Sequence, residues 1–120
     1  MSAASLLYNQ FKQEVVQEGK VFTFTKAGEY LVHPLDKREA IPFWSSRARM
    51  EKTQKSLQKY RGYKIAEMSL TEFLDWLPEL DGEGIQIGAN WSGTPLSGYD
   101  VSVPNLLAGL RHLLSRQQKR

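Results

Sequence analysis

The chain has 120 residues, 41% of them hydrophobic and 24% charged, with a formal net charge of +3 and no cysteine. It is long enough to bury roughly two-thirds of its unfolded surface, as one globular domain over residues 1–120. This composition excludes disulfides, thiolate nucleophiles and cysteine-ligated metals, and no apolar run approaches the ~20 residues of a membrane-spanning helix. No basic segment leads into an apolar stretch at the N-terminus, so no signal peptide is read and a cytoplasmic protein without membrane contact is expected.

Ala3 to Gln17 sets Ala4, Leu7, Tyr8, Phe11 and Val15 at helical spacing, and Gly19 is a natural stop. Lys20 to Lys26 alternates Val21, Thr23 and Thr25 with Phe22 and Phe24, which predicts a strand. Ala27-Gly28-Glu29 turns it into a second strand, Tyr30 to His33, and the two read as a hairpin. Ile41 to Trp44 is a third strand, and Pro42, lacking an amide donor, predicts that it lies at a sheet edge or ends there. An exposed edge there would admit a homodimer. Ser45 and Ser46 are N-cap candidates for a helix running to about Tyr60, with Met50, Thr53, Leu57 and Tyr60 as its apolar stripe.

Tyr63 to Met68 is a fourth strand. Ser69 and Glu72 form a capping box opening a helix whose apolar residues are Phe73, Leu74, Trp76 and Leu77, and Pro78 predicts that this helix is short. Asp81 to Gly84 is a turn and Ile85 to Asn90 a fifth strand, with Ile85 and Ile87 on one face. Trp91 to Asp100 reads as a loop, with a hairpin connection as the alternative, and Tyr99 to Val103 as a short sixth strand. Pro104 suits the first turn of a last helix with Leu106, Leu107, Leu110, Leu113 and Leu114 on its apolar face, and Gln117 to Arg120 reads as a frayed tail. The expected fold class is α+β: a single small sheet of about five mostly antiparallel strands, packed with four helices.

This order of elements resembles a small bacterial family known as domain-of-unknown-function family 2750. The matching residues are Val21-Phe22-Thr23-Phe24, Ile41-Pro42-Phe43-Trp44-Ser45-Ser46, the segment from Leu70 to Leu77, and Asn90-Trp91-Ser92-Gly93, within a stretch from Gly19 to Leu110. The order is also similar to the N-terminal domain of the enhanced-serine-sensitivity proteins. There too a strand ending in Pro and an aromatic leads into a Ser/Thr-capped helix, and a late strand ends in Asn. The first resemblance implies an α+β fold; neither brings an assigned catalytic residue.

Charge is unevenly distributed. Arg47, Arg49, Lys52, Lys55, Lys59, Arg61 and Lys64 face a single acid, Glu51, within their stretch. From Glu67 to Glu83 there are six acids and no base, so the molecule is expected to be dipolar. The basic face of Lys52, Lys55, Lys59 and Arg61, with Trp44, Tyr60 and Tyr63 nearby, has the ingredients for nucleic acid. The acidic stretch that follows would repel a long polyanion, and a merely solvated face is the weightier alternative.

The sharper candidate is the first turn of the basic helix. Arginines there oppose the helix dipole, and Trp44, Ser45, Ser46, Arg47 and Arg49 could converge on one anion. The plainer alternative, and the favoured one, is that Ser46 only caps while the arginines reach Asp36, Glu39 or Glu51. Asn90, Trp91 and Ser92 form a second candidate: the indole is either exposed for a partner or folded back as a lid on the core, the latter being favoured. His33 and His112 lie on different elements without metal-ligand spacing, and Gly82 and Gly84 sit among acids, the wrong charge for a phosphate loop. No catalytic set, metal site or cofactor is therefore expected. The leading reading is a non-enzymatic binding or adaptor module for a protein or small anion, with nucleic-acid binding as runner-up and an enzyme third.

Overall fold

The computed structural model describes residues 3–93 and 96–118. It opens with α1 (Ala3–Glu18), followed by strands β1 (Lys20–Lys26), β2 (Glu29–Tyr30), β3 (His33–Pro34) and β4 (Glu39–Phe43). Helix α2 (Arg47–Ser56), a 3-10 turn (Gln58–Tyr60), β5 (Lys64–Ser69) and α3 (Leu70–Gly82) come next, then β6 (Ile85–Ser92), β7 (Ser97–Val101) and α4 (Val103–Gln118). The fold is α+β, as expected, but the strands form two sheets, ordered β2-β1-β5 and β3-β4-β6-β7.

Pro42 explains the division, and it does so without placing β4 at an edge. The amide and carbonyl of Trp44 exchange 2.8 Å hydrogen bonds with Phe22 of β1. Alternation along a strand turns the polar groups of Pro42 to that same side, where it has no N–H to give. Its carbonyl instead accepts the Thr23 hydroxyl at 2.8 Å. The ladder between β1 and β4 is thus reduced to the Phe22–Trp44 bridge. Strand β4 lies inside its sheet, antiparallel to β3 and parallel to β6, so the open edge that would have admitted a dimer is covered.

The β1–β2 hairpin turns through Ala27 and Gly28 with φ of 54° and 81°, the left-handed pair of a turn that matches strand twist. The expected second strand divides at Leu31–Val32, so that β2 pairs with β1 and β3 with β4. Helix α3 carries the foreseen reciprocal capping box yet runs through Pro78 to Gly82. Buried Leu77 and Leu80 on either side of the exposed proline anchor it. The expected basic helix stops at Ser56: Leu57 is extended (φ −124°, ψ 101°). The Gln54 amide then holds the next turn through the carbonyls of Tyr60 and Tyr63 at 2.9 and 2.8 Å. At the other end of the chain, α4 remains helical through Gln118; the last two residues of the expected tail lie outside the described ones, as do residues 94 and 95 of the expected loop.

Two cores lie against the sheets. Helices α1, α3 and α4 cover an aliphatic one, with Phe11, Val15, Phe73, Leu77, Leu106 and Leu110 packed on Ile41, Phe43, Ile85 and Ile87. Helix α2 and the 3-10 turn cover an aromatic one built from Phe22, Phe24, Trp44, Met50, Tyr60 and Trp91. Successive strand residues serve opposite cores, Val21 one and Phe22 the other, as the pleat requires. The acidic helix α3 and the basic helix α2 therefore pack on different cores.

Candidate functional site

Because β4 and β6 are parallel neighbours, their carboxyl ends open on the same side, the end at which α/β proteins place ligands. The chain leaves β4 through Trp44, Ser45 and Ser46 into α2, and β6 ends in Asn90, Trp91 and Ser92.

Asn90 lies in the left-handed region with φ 51°, which asparagine tolerates better than most residues. Pairing resumes from Ala89↔Tyr99 to Ser92↔Ser97, so Asn90 and Trp91 together oppose Gly98. This is a β-bulge, and it reverses the side-chain alternation. Without it Trp91 would share a face with Ile85, Ile87 and Ala89; with it the indole joins the aromatic core, only 2% exposed. The ring occupies the space over two glycines: a Cβ at Gly88 would come within 2.3 Å of it, and one at Gly98 within 2.7 Å. Its N–H donates to the Tyr99 carbonyl and its own carbonyl accepts the Trp44 indole N–H, both at 2.9 Å. Trp91 is thus a lid on the core. His33 stands edge-on to it with ring centroids 5.4 Å apart.

Ser45 is buried, with both its amide and its hydroxyl bonded. Its amide donates to Asn90 Oδ1 at 2.9 Å, its hydroxyl donates to Glu14 Oε1 at 2.5 Å, and Asn90 Nδ2 donates to its Oγ at 3.0 Å. Arg49 closes on the same carboxylate, Nε to Oε1 at 3.3 Å and Nη2 to Oε2 at 3.0 Å, with Nη2 also 3.4 Å from Gln10 Oε1. The Arg49 hydrogen bonds hold the Glu14 carboxyl below its ordinary value near 4.5; partial burial opposes them and the Ser45 hydroxyl reinforces them. Ser46 caps α2 by accepting the Arg49 amide at 3.3 Å. Arg47 is exposed, its guanidinium 5.7 Å from the Phe22 ring centroid.

The two arginines therefore diverge. Ser45 and Arg49 are tied to Glu14, which lies on α1 and which no sequence pattern pointed to. The hollow of about 380 Å³ beside Ser46 and Arg47 also receives Lys20 and three acids, Glu14, Glu18 and Glu67, an excess of carboxylates that suits an anion poorly.

What does assemble is a cleft of about 300 Å³ one turn further along α2. Arg49, Lys52, Thr53 and Ser56 line one wall, Leu7 of α1 contributes to another, and Trp44 with Asn90 to Gly93 completes it. The spacing i, i+3, i+4, i+7 puts the four α2 residues on one stripe. Five residues singled out from sequence, Trp44, Arg49, Asn90, Trp91 and Ser92, meet here, together with Lys52 of the basic face. Lys55, Lys59 and Arg61 stay outside it and exposed, with the Lys59 ammonium 5.1 Å from the Tyr60 ring centroid. Among the described residues no group of three or more His, Cys, Asp or Glu is placed to hold a metal ion, and no helix is long and apolar enough to cross a membrane.

A family model described as a protein of unknown function (DUF2750) matches residues 8–110, and the chain belongs to that family. The match begins eleven residues before Gly19 and so takes in Gln10 and Glu14 of α1. No curated protein matches the chain.

Proposed function

We propose that this chain is a non-enzymatic binding module that takes a small anion in the cleft between α2 and the end of β6. The observation that carries this reading is the charge at the α2 wall. Glu14 offsets Arg49, while among the described residues no carboxylate lies within ion-pair distance of Lys52. One uncompensated cation in a cleft that also presents half-buried Leu7 favours a monoanion with an apolar body. The test is calorimetric titration with 3-phenylpropanoate at low salt, for the native protein and for Lys52→Glu. Saturable binding that the substitution abolishes is expected. Equal binding by both proteins, or none by the native one, overturns the reading.

The packing of α2 and α3 on different cores supports a second reading, nucleic-acid binding by the Arg47 to Lys64 surface, because it relieves the objection raised by the acidic stretch. Titration with random-sequence DNA at rising salt distinguishes it. Affinity falling steeply with salt would favour this reading, and no binding at low salt removes it.

A further inference from the structure

The hydroxyls on the cleft wall do not all have a proton to offer. Thr53 Oγ1 donates to the Arg49 carbonyl and Ser56 Oγ to the Lys52 carbonyl, each at 3.0 Å. A hydroxyl has one proton and two lone pairs, so with the proton committed to the helix backbone it can only accept from a ligand. Thr53 is buried and Ser56 is exposed, which makes Ser56 the accessible acceptor on the α2 wall, while the exposed Ser92 hydroxyl belongs to the β6 wall. The floor offers no competing donors from its indoles, since both N–H groups are bonded to carbonyls. The Asn90 carboxamide is likewise bonded to Ser45.

The wall is therefore polarised along α2. At one end stand Lys52 and the Nη1 group of Arg49, for which no partner is seen among the described residues. At the other end stands a lone-pair donor. From the midpoint of Arg49 and Lys52 to Ser56 the helix rises ~8 Å.

Resting on the anion-binding reading above, we infer that the ligand is a short carboxylate whose far end carries a hydroxyl donor about 8 Å from the acid group, with an apolar body between them. The carboxylate sits between Lys52 and the Arg49 Nη1 group, the apolar body lies along Leu7, and the hydroxyl donates to Ser56 Oγ. A dianionic phosphate ester fits less well, because Glu14 leaves the site close to a single net positive charge.

Two compounds differing in one hydroxyl test this: 3-phenylpropanoate and 3-(4-hydroxyphenyl)propanoate, titrated calorimetrically against the native protein, Ser56→Ala and Lys52→Glu. Ser56 is exposed and alanine is a better helix former, so Ser56→Ala keeps the fold. The expected result is that the hydroxylated acid binds the native protein about tenfold more tightly. That advantage disappears in Ser56→Ala, and Lys52→Glu binds neither acid. If both acids bind the native protein equally, or if the advantage persists in Ser56→Ala, the donor assignment is wrong while the anion site stands. If neither binds the native protein, the site and the ligand class fall together.

Discussion

The two cores are built by different rules. On the α1–α3–α4 side, helical stripes of leucine and phenylalanine cover β-branched strand residues, and each side chain sits where its period puts it. On the α2 side one tryptophan reaches its core only because the chain passes through a left-handed asparagine and leaves two glycines beneath the ring. The first side is held by many interchangeable contacts, the second by a few specific ones. Its polar groups are also linked to the outside, through Asn90, Ser45, Glu14 and Arg49, and it is the side that carries the cleft.

The contrast can be broken most directly at Trp91. Trp91→Ala should lower the unfolding free energy by about 3–5 kcal/mol in urea denaturation, and a loss under about 1 kcal/mol would show that the aromatic side does not depend on it. Asn90→Ala removes the partner of the buried Ser45 amide and places alanine at positive φ, for an expected cost of about 2–4 kcal/mol. Asn90→Gly, which keeps the backbone geometry, should lose less. Gly88→Ala should cost about 1–3 kcal/mol because its methyl overlaps the indole. In a Trp91→Ala background the same methyl should be nearly neutral, so a double-mutant cycle that proves additive would refute the contact.

Smaller effects sharpen the link to the surface. The Glu14 carboxyl is held below its ordinary value, so its ion pair contributes stability that is complete above about pH 4.5 and is lost as pH falls through the lowered folded value. Glu14→Gln should remove about 0.5–1 kcal/mol at neutral pH, the scale of a partly exposed pair. It should also flatten the acid limb of stability measured against pH; an unchanged limb would assign that limb to other groups. Least of all, Ala27→Asn should stabilise by about 0.5 kcal/mol, since Ala27 occupies a left-handed turn position that suits asparagine. A destabilised variant would argue against that turn.

How much was legible in the sequence follows the same division. The periods of α1, β1 and α4 and the Ser69–Glu72 capping box are local signals, and local signals position those elements. Pro42 is legible as a missing donor, and β4 does end one residue later, at Phe43, but sequence does not show that the neighbouring strand uses the proline carbonyl and leaves β4 inside its sheet. Pro78 weakens α3 locally, and two buried leucines outweigh it. In the cleft, the residue types at the ends of β4 and β6 were visible, but their parallel pairing and the bulge that turns Trp91 inward depend on register. Gly88 and Gly98 flanking Asn90-Trp91 were the available clue. Glu14 gave none: an acid on an amphipathic helix looks like solvent-facing charge until the fold brings Arg49 beside it.

The pairing of strands also constrains how the chain reaches this state. Strand β1 waits for β5 and β4 waits for β6, each across roughly 45 residues, and these two spans overlap along the sequence without one enclosing the other. The two spans interlock, so cutting the backbone anywhere between β4 and β5 separates β1 from β5 and β4 from β6. Fragments should stay unstructured when separate and regain structure only when mixed. Among the described strands, the short hairpins β1–β2, β3–β4 and β6–β7 can start assembly locally, and the slow step is the long-range closure that interlocks the rest.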